Sequence, residues 1–135
     1  MATATERFGI RTTGIHHATL RSSDLPRARI FYVERLGFML LKDSPDQFAF
    51  AVGESSIRVL GPSDPPGADE PHRPARRGAG LDYIALACDG ATELQRAASA
   101  LTAAGIEHSG VLVDAGNEYV AFDDPDGIGW KLHVV

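Results

Sequence analysis

A single cysteine, Cys88, occurs in the 135 residues, which excludes an internal disulfide framework and any cysteine-based zinc site. Basic runs are equally scarce. None exceeds two residues (Arg76–Arg77), and the formal net charge is −5. A nucleic-acid binder needs a basic face, so no nucleic-acid partner is expected. No apolar run approaches the roughly 20 residues of a membrane span, and the opening MATATERFGIRTTG lacks the apolar stretch of a secretory leader. The expectation is a cytoplasmic protein with no membrane partner. With 44% hydrophobic and 23% charged residues, the chain holds too much apolar side chain for wholesale disorder. Its length suits one domain.

Residues 61–80 read GPSDPPGADEPHRPARRGAG and hold five of the eight prolines. Proline lacks the N–H that helix interiors and central strands need, so this stretch reads as a linker inside a single domain spanning 1–135. It separates a first module at about 14–60 from a second at about 81–135. The two can be compared as repeats. In the first, GIHHATLRSS (14–23) reads as a strand. Asp24 is an N-cap and Pro26 a first-turn residue of a helix over Leu25–Leu36, with Gly37 just past its end. Strands follow at 38–43, 48–52 and 56–60. The second repeats the order: a strand at 81–88, a helix ending at Gly105 with Leu94, Ala98 and Leu101 on one stripe, then strands at 106–113, 118–122 and 129–135. Asp126-Gly127 is a hairpin signal that requires positive φ at the glycine. Two βαβββ units make an α+β fold.

The motifs sharpen this. HATLRSSDLPRARIFYVERLGF (17–38) resembles the opening of vicinal oxygen chelate proteins, the superfamily of glyoxalase I, bleomycin-resistance proteins and extradiol dioxygenases. The resemblance rests on His17, Asp24-Leu25, Phe31-Tyr32 and Leu36-Gly37. YIALACD (83–89) looks like the matching entry of a second module, and AFDDPDGIGWKLH (121–133) is similar to the closing signature. The resemblance implies a curved mixed-sheet cup built from the two modules. It also implies a metal held by four inward ligands, one on the first and one on the last strand of each module. Carried over position by position, those sites are His17, Arg58, Tyr83 and Lys131. Only His17 is a ligand of the usual kind, since arginine and protonated lysine have no lone pair to give and a neutral phenol is a poor donor. No metal and no cofactor is therefore expected.

Strand alternation puts His17, Thr19 and Arg21 on one face, Tyr83, Ala85 and Ala87 on the cup face, and Gly129, Lys131 and His133 with them. Arg58 and Lys131 can supply the positive potential that a metal would otherwise give to a developing oxyanion. His17 is the acid/base candidate and Tyr83 a proton donor, so His17, Tyr83 and Lys131 form the expected catalytic set. Arg21, Arg58, His133, Thr19 and Glu118 are the expected substrate contacts. His16 is expected on the opposite face, Trp130 in the core, Cys88 as an apolar packing residue, and His72, Arg73, Arg76 and Arg77 as a solvated charge cluster. Three functions stay open. One is a metal-independent protein handling a polar anionic or phenolic small molecule, by binding alone or by isomerase, cyclase or lyase chemistry through an enolate. The second is a metal-dependent glyoxalase or dioxygenase with displaced ligands His17, His133 and Glu118. The third is a binding-only resistance or carrier protein. A homodimer is expected, because paired modules of this kind often complete their cups with a partner chain.

Overall fold

A computed structural model describes residues 9–62 and 80–135; the expected charge cluster at 72–77 lies outside them. The first module runs β1 (His17–Arg21), α1 (Leu25–Arg29), β2 (Leu40–Ser44), β3 (Gln47–Val52) and β4 (Ser55–Leu60). The second runs β5 (Tyr83–Cys88), α2 (Ala91–Ala103), β6 (Leu112–Asp114), β7 (Asn117–Asp123) and β8 (Gly129–Val134). Each module forms a four-stranded mixed sheet, ordered β1-β4-β3-β2 and β5-β8-β7-β6. In each, the first strand lies parallel to the last, and the other neighbours are antiparallel. This is the expected α+β architecture of two βαβββ modules.

Alternation along the strands sorts the side chains. Leu20, Phe48, Phe50, Ile57 and Val59 of the first sheet, and Val120, Phe122 and Trp130 of the second, are buried and share one core with Leu94 and Leu101 of α2. The residues between them point to the other face. The core crosses from module to module: the Tyr32 ring stacks on Phe50 at 4.9 Å and meets Trp130 edge-on at 5.8 Å, while Phe31 lies 6.4 Å from Phe122. Cys88 packs against this core, and burial, with the nearby Glu93 charge, pushes its thiol up, which suits a packing residue.

A polar latch joins the same modules. Asp124 is buried, and its carboxylate accepts from the Tyr32 hydroxyl at 2.6 Å and from the backbone N–H groups of Asp126 and Ile128 at 2.9 and 2.8 Å. Trp130 Nε1 donates to the Tyr32 hydroxyl at 3.1 Å, so no buried polar atom of the group is left over. Two residues on, Asp126 accepts from Ser22 Oγ at 2.7 Å and Ser23 N at 3.0 Å, bonds the Ser23 hydroxyl, and pairs with Arg27 at 3.1 Å. The DPDG turn thus fastens the second module to the β1–α1 junction of the first. Gly127 sits at φ +83°, as the hairpin signal requires.

Two elements differ from the sequence expectation. The helix over Leu25–Leu36 caps as expected, Asp24 accepting from Arg27 N at 3.1 Å, but only Leu25–Arg29 is α-helical. Ile30–Arg35 is a π-helical turn, with Leu36 N donating to Phe31 O at 2.9 Å. The wider turn lets the consecutive Phe31 and Tyr32 both enter the core, a tertiary demand that apolar spacing does not reveal. The strand expected over 106–113 shrinks to Leu112–Asp114; upstream one backbone bond remains, Ser109 N donating to Ala121 O at 2.9 Å, and side chains take the other places. Ser109 Oγ accepts from Ala121 N at 2.9 Å, and His108 Nδ1 accepts from Gly110 N at 3.0 Å.

Candidate functional site

The register defines what the open face of each sheet carries. In the first sheet, three rows cross β1, β4 and β3: His17–Ser56–Ala51, Thr19–Arg58–Ala49 and Arg21–Leu60–Gln47. In the second, three rows cross β5, β8 and β7: Tyr83–Gly129–Asp123, Ala85–Lys131–Ala121 and Ala87–His133–Tyr119. Arg58 and Lys131 therefore hold the same central position of their modules. Small or short side chains flank both, so each cation stands above a low floor.

Neither cation is neutralised among the described residues. Among the described residues Arg27 pairs with Asp126, Arg29 with Asp43 at 2.9 Å and Arg96 with Glu93, whereas no hydrogen bond or ion pair claims Arg58 or Lys131. Lys131 is held by rings instead. Its Nζ lies 4.2 Å from the centroid of Tyr83 and 4.7 Å from that of Tyr119, and Tyr119 stacks on His133 at 5.3 Å. Gly129 makes this possible: a Cβ there would stand 3.2 Å from the Tyr83 Cβ and from Asp82 O. Cation–π attraction fixes the ammonium without consuming its N–H donors.

The expected residues thus fall into two groups. His17, Thr19, Arg21 and Arg58 share the face of the first sheet, and Tyr83, Lys131 and His133 share that of the second; no ring contact, and no hydrogen bond or ion pair of His17, Thr19 or Arg58, joins the groups among the described residues. Arg21 Nη1 donates to Gly61 O at 2.7 Å and lines a cleft of about 660 Å³ with Gln47, Leu60, Pro45 and Pro62, at the mouth of the first face. Tyr119 escaped the sequence reading. Its signal was its parity with Ala121 and its registration opposite His133.

Three sequence expectations need correction. Glu118 shares parity with Val120 and Phe122, which are buried, so it projects away from the face that carries His133. The displaced ligand set His17, His133 and Glu118 is consequently not assembled, and the described residues contain no group of three or more His, Cys, Asp or Glu able to hold a metal. His16 does not back the core. It precedes the paired strand, escapes its alternation, and sets its Nδ1 2.8 Å from His17 Nδ1, with both rings exposed. That bond engages Nδ1 of His17, and no hydrogen bond claims its Nε2 among the described residues.

The positions that resemblance assigns to a metal hold His17, Arg58, Tyr83 and Lys131, and these do not fit a divalent cation. Two of the four are cations without a free lone pair, each adding about 8 kcal/mol of repulsion against a doubly charged ion at 4 Å even at an effective dielectric near 20.

The family model described as Glyoxalase/Bleomycin resistance protein/Dioxygenase superfamily matches residues 14–132. The uncharacterized protein YwkD of Bacillus subtilis (strain 168) is 27% identical over 88% of this chain and 94% of its own. Among solved structures, a glyoxalase family protein from Enterococcus faecalis is 28% identical with a TM-score of 0.68, covering 90% of this chain and 97% of that one. A lactoylglutathione lyase from Agrobacterium tumefaciens shares the fold, with a TM-score of 0.73 at 21% identity over 91% and 94% of the two chains.

Proposed function

Because the chain belongs to the Glyoxalase/Bleomycin resistance protein/Dioxygenase superfamily, we propose that its open faces serve the small-molecule chemistry of that fold without a metal, Arg58 and Lys131 taking the metal's electrostatic part. The ligand is a polar anionic or phenolic organic molecule. The observation that carries this reading is the pair of cations at equivalent register positions, both without a protein carboxylate among the described residues. A cation that keeps its donors unspent is preorganised for an anion, because no internal pair must break when the ligand arrives.

His17 supplies the proton-transfer group through Nε2, and Tyr83 supplies a phenolic donor beside Lys131. A substrate C–H next to a carbonyl gives its proton to the imidazole, the oxygen takes the negative charge, and a fixed cation stabilises that enolate. Isomerase, cyclase and lyase reactions of carbonyl substrates with an acidic C–H share such a step. Thr19 and Arg21 extend the polar surface along β1. We further propose a homodimer, supported by the exposed apolar residues on the outer strands of both sheets, Met39–Leu41 by β2 and Leu112–Val113 on β6.

The test is a panel of small carboxylates and phenols screened by calorimetry and for turnover. Arg58→Met or Lys131→Met should weaken binding by about 1.5–3 kcal/mol, the scale of a hydrogen bond to a charged group. His17→Gln should spare affinity and abolish any turnover. Wild-type behaviour of all three variants toward every bound compound would defeat the reading, as would one tightly held metal per chain in elemental analysis.

A further inference from the structure

The two central cations differ in their surroundings. Around Lys131 stand Tyr83, Tyr119 and, stacked on Tyr119, His133. Around Arg58 the corresponding positions hold His17, Gln47 and Leu60, and no ring lies under the guanidinium among the described residues. Two phenol faces within 5 Å of one ammonium nitrogen are the arrangement by which proteins bind quaternary ammonium ligands. Here the cation comes from the chain itself.

We propose that Lys131 is the resident occupant of an aromatic cage, and that by filling it Lys131 sets the charge selectivity of the second face: anions accepted, organic ammonium ions refused. The ring faces carry the negative side of their quadrupoles, and without the lysine they attract cations. With it, the attraction is satisfied internally and the outward potential turns positive. Tyr83 is 38% exposed and Lys131 half-buried, so the cage opens to solvent and a ligand needs no rearrangement to reach it. The alanines at 85 and 121, on either side of Lys131 in its row, leave the floor clear. The refusal of cations stands on this geometry alone; the acceptance of anions rests on the function proposed above.

The test uses the full chain and two probes of one shape, benzoate and phenyltrimethylammonium, titrated by calorimetry and by the tyrosine ring resonances at mildly alkaline pH. Wild type should bind benzoate and leave the ammonium probe unbound. Lys131→Ala should lose benzoate and gain phenyltrimethylammonium by about tenfold or more over wild type, between the exposed and the desolvated scale of a cation–π contact. Adding Tyr119→Leu to Lys131→Ala should abolish the gain. Arg58→Ala, which opens no cage, should gain nothing. The inference is overturned if Lys131→Ala, folded by circular dichroism, acquires no ammonium affinity, or if Arg58→Ala acquires as much. A wild type that ignores benzoate while Lys131→Ala gains the ammonium probe would instead defeat the anion reading and leave the cage standing.

Discussion

The two modules share one strand plan and divide their work differently. Their open faces superimpose row by row through the register, with a cation at each centre, yet the first surrounds Arg58 with hydroxyl, imidazole and amide side chains and the second surrounds Lys131 with rings. Their β-turns diverge further. The turn before β8, Asp124–Gly127, reaches into the other module with two aspartates, while its counterpart before β4, Gly53-Glu54, forms a plain exposed hairpin. A repeated backbone plan therefore constrains where side chains stand, and leaves to single residues the choice between binding a ligand and binding the other module.

The largest break in that comparison should come at the latch. Asp124→Ala strands the buried Tyr32 hydroxyl and takes their acceptor from the partly buried N–H groups of Asp126 and Ile128, all three formerly satisfied by one carboxylate. We expect a loss of about 3 kcal/mol or more in urea unfolding, as for breaking a buried charged network. Glu54→Ala at the counterpart turn should stay within about 0.5 kcal/mol of wild type, the scale of surface substitutions. Equal effects at the two turns would remove the asymmetry.

Much of this was legible beforehand, for physical reasons that can be named. Asp24, Pro26 and Gly37 announced the first helix because caps and turns depend on one residue's local chemistry, and alternation announced which of Trp130 and Lys131 faces the core. The π-helical turn at Ile30–Arg35 was not legible, since it answers a packing need of Tyr32 against Trp130, 98 residues away. Nor was the short β6. Ser109 satisfies the backbone of Ala121 by a side-chain bond that no hydrophobic pattern encodes. Glu118 was misplaced by its chemistry: a carboxylate suggested a ligand contact, and parity with Val120 sets it on the other face. The DPDG signature was read as a hairpin, and only its long-range bonds reveal a fastening between modules.

A second experiment sharpens the comparison by asking whether backbone or side chain makes the turns unequal. Gly53 and Gly127 both adopt positive φ, +55° and +83°. Gly53→Val and Gly127→Val should each cost about 1–2 kcal/mol, the strain of an L side chain in the left-handed region. Similar losses of melting temperature at both sites would assign the asymmetry to Asp124 and Asp126. A Gly127→Val protein that melts like wild type would contradict the strained turn.

The smallest effect separates the two aspartates of the latch by the sign of their pH dependence. Burial raises Asp124 above the usual carboxylate range, outweighing its bonds from Tyr32, Ile128 and Asp126. At Asp126 partial burial works the same way, but bonds from Ser23 and Ser22 and the Arg27 charge outweigh it and hold the carboxyl low. A folded-state value above the unfolded one means that the folded chain binds its proton more readily, so Asp124 favours folding more as pH falls through its raised value. Asp126 contributes stability present above its unfolded value, about 4, and lost as pH falls through its depressed one. The stability difference between wild type and Asp126→Asn should therefore shrink in acid below about pH 4, and that between wild type and Asp124→Asn should move in wild type's favour as pH drops from neutral toward the same range. Urea midpoints across that interval measure both. Parallel pH profiles for the two variants would mean that the serines and Arg27 of the first module do not hold Asp126 in its charged form, and the latch would then rest on Asp124 alone.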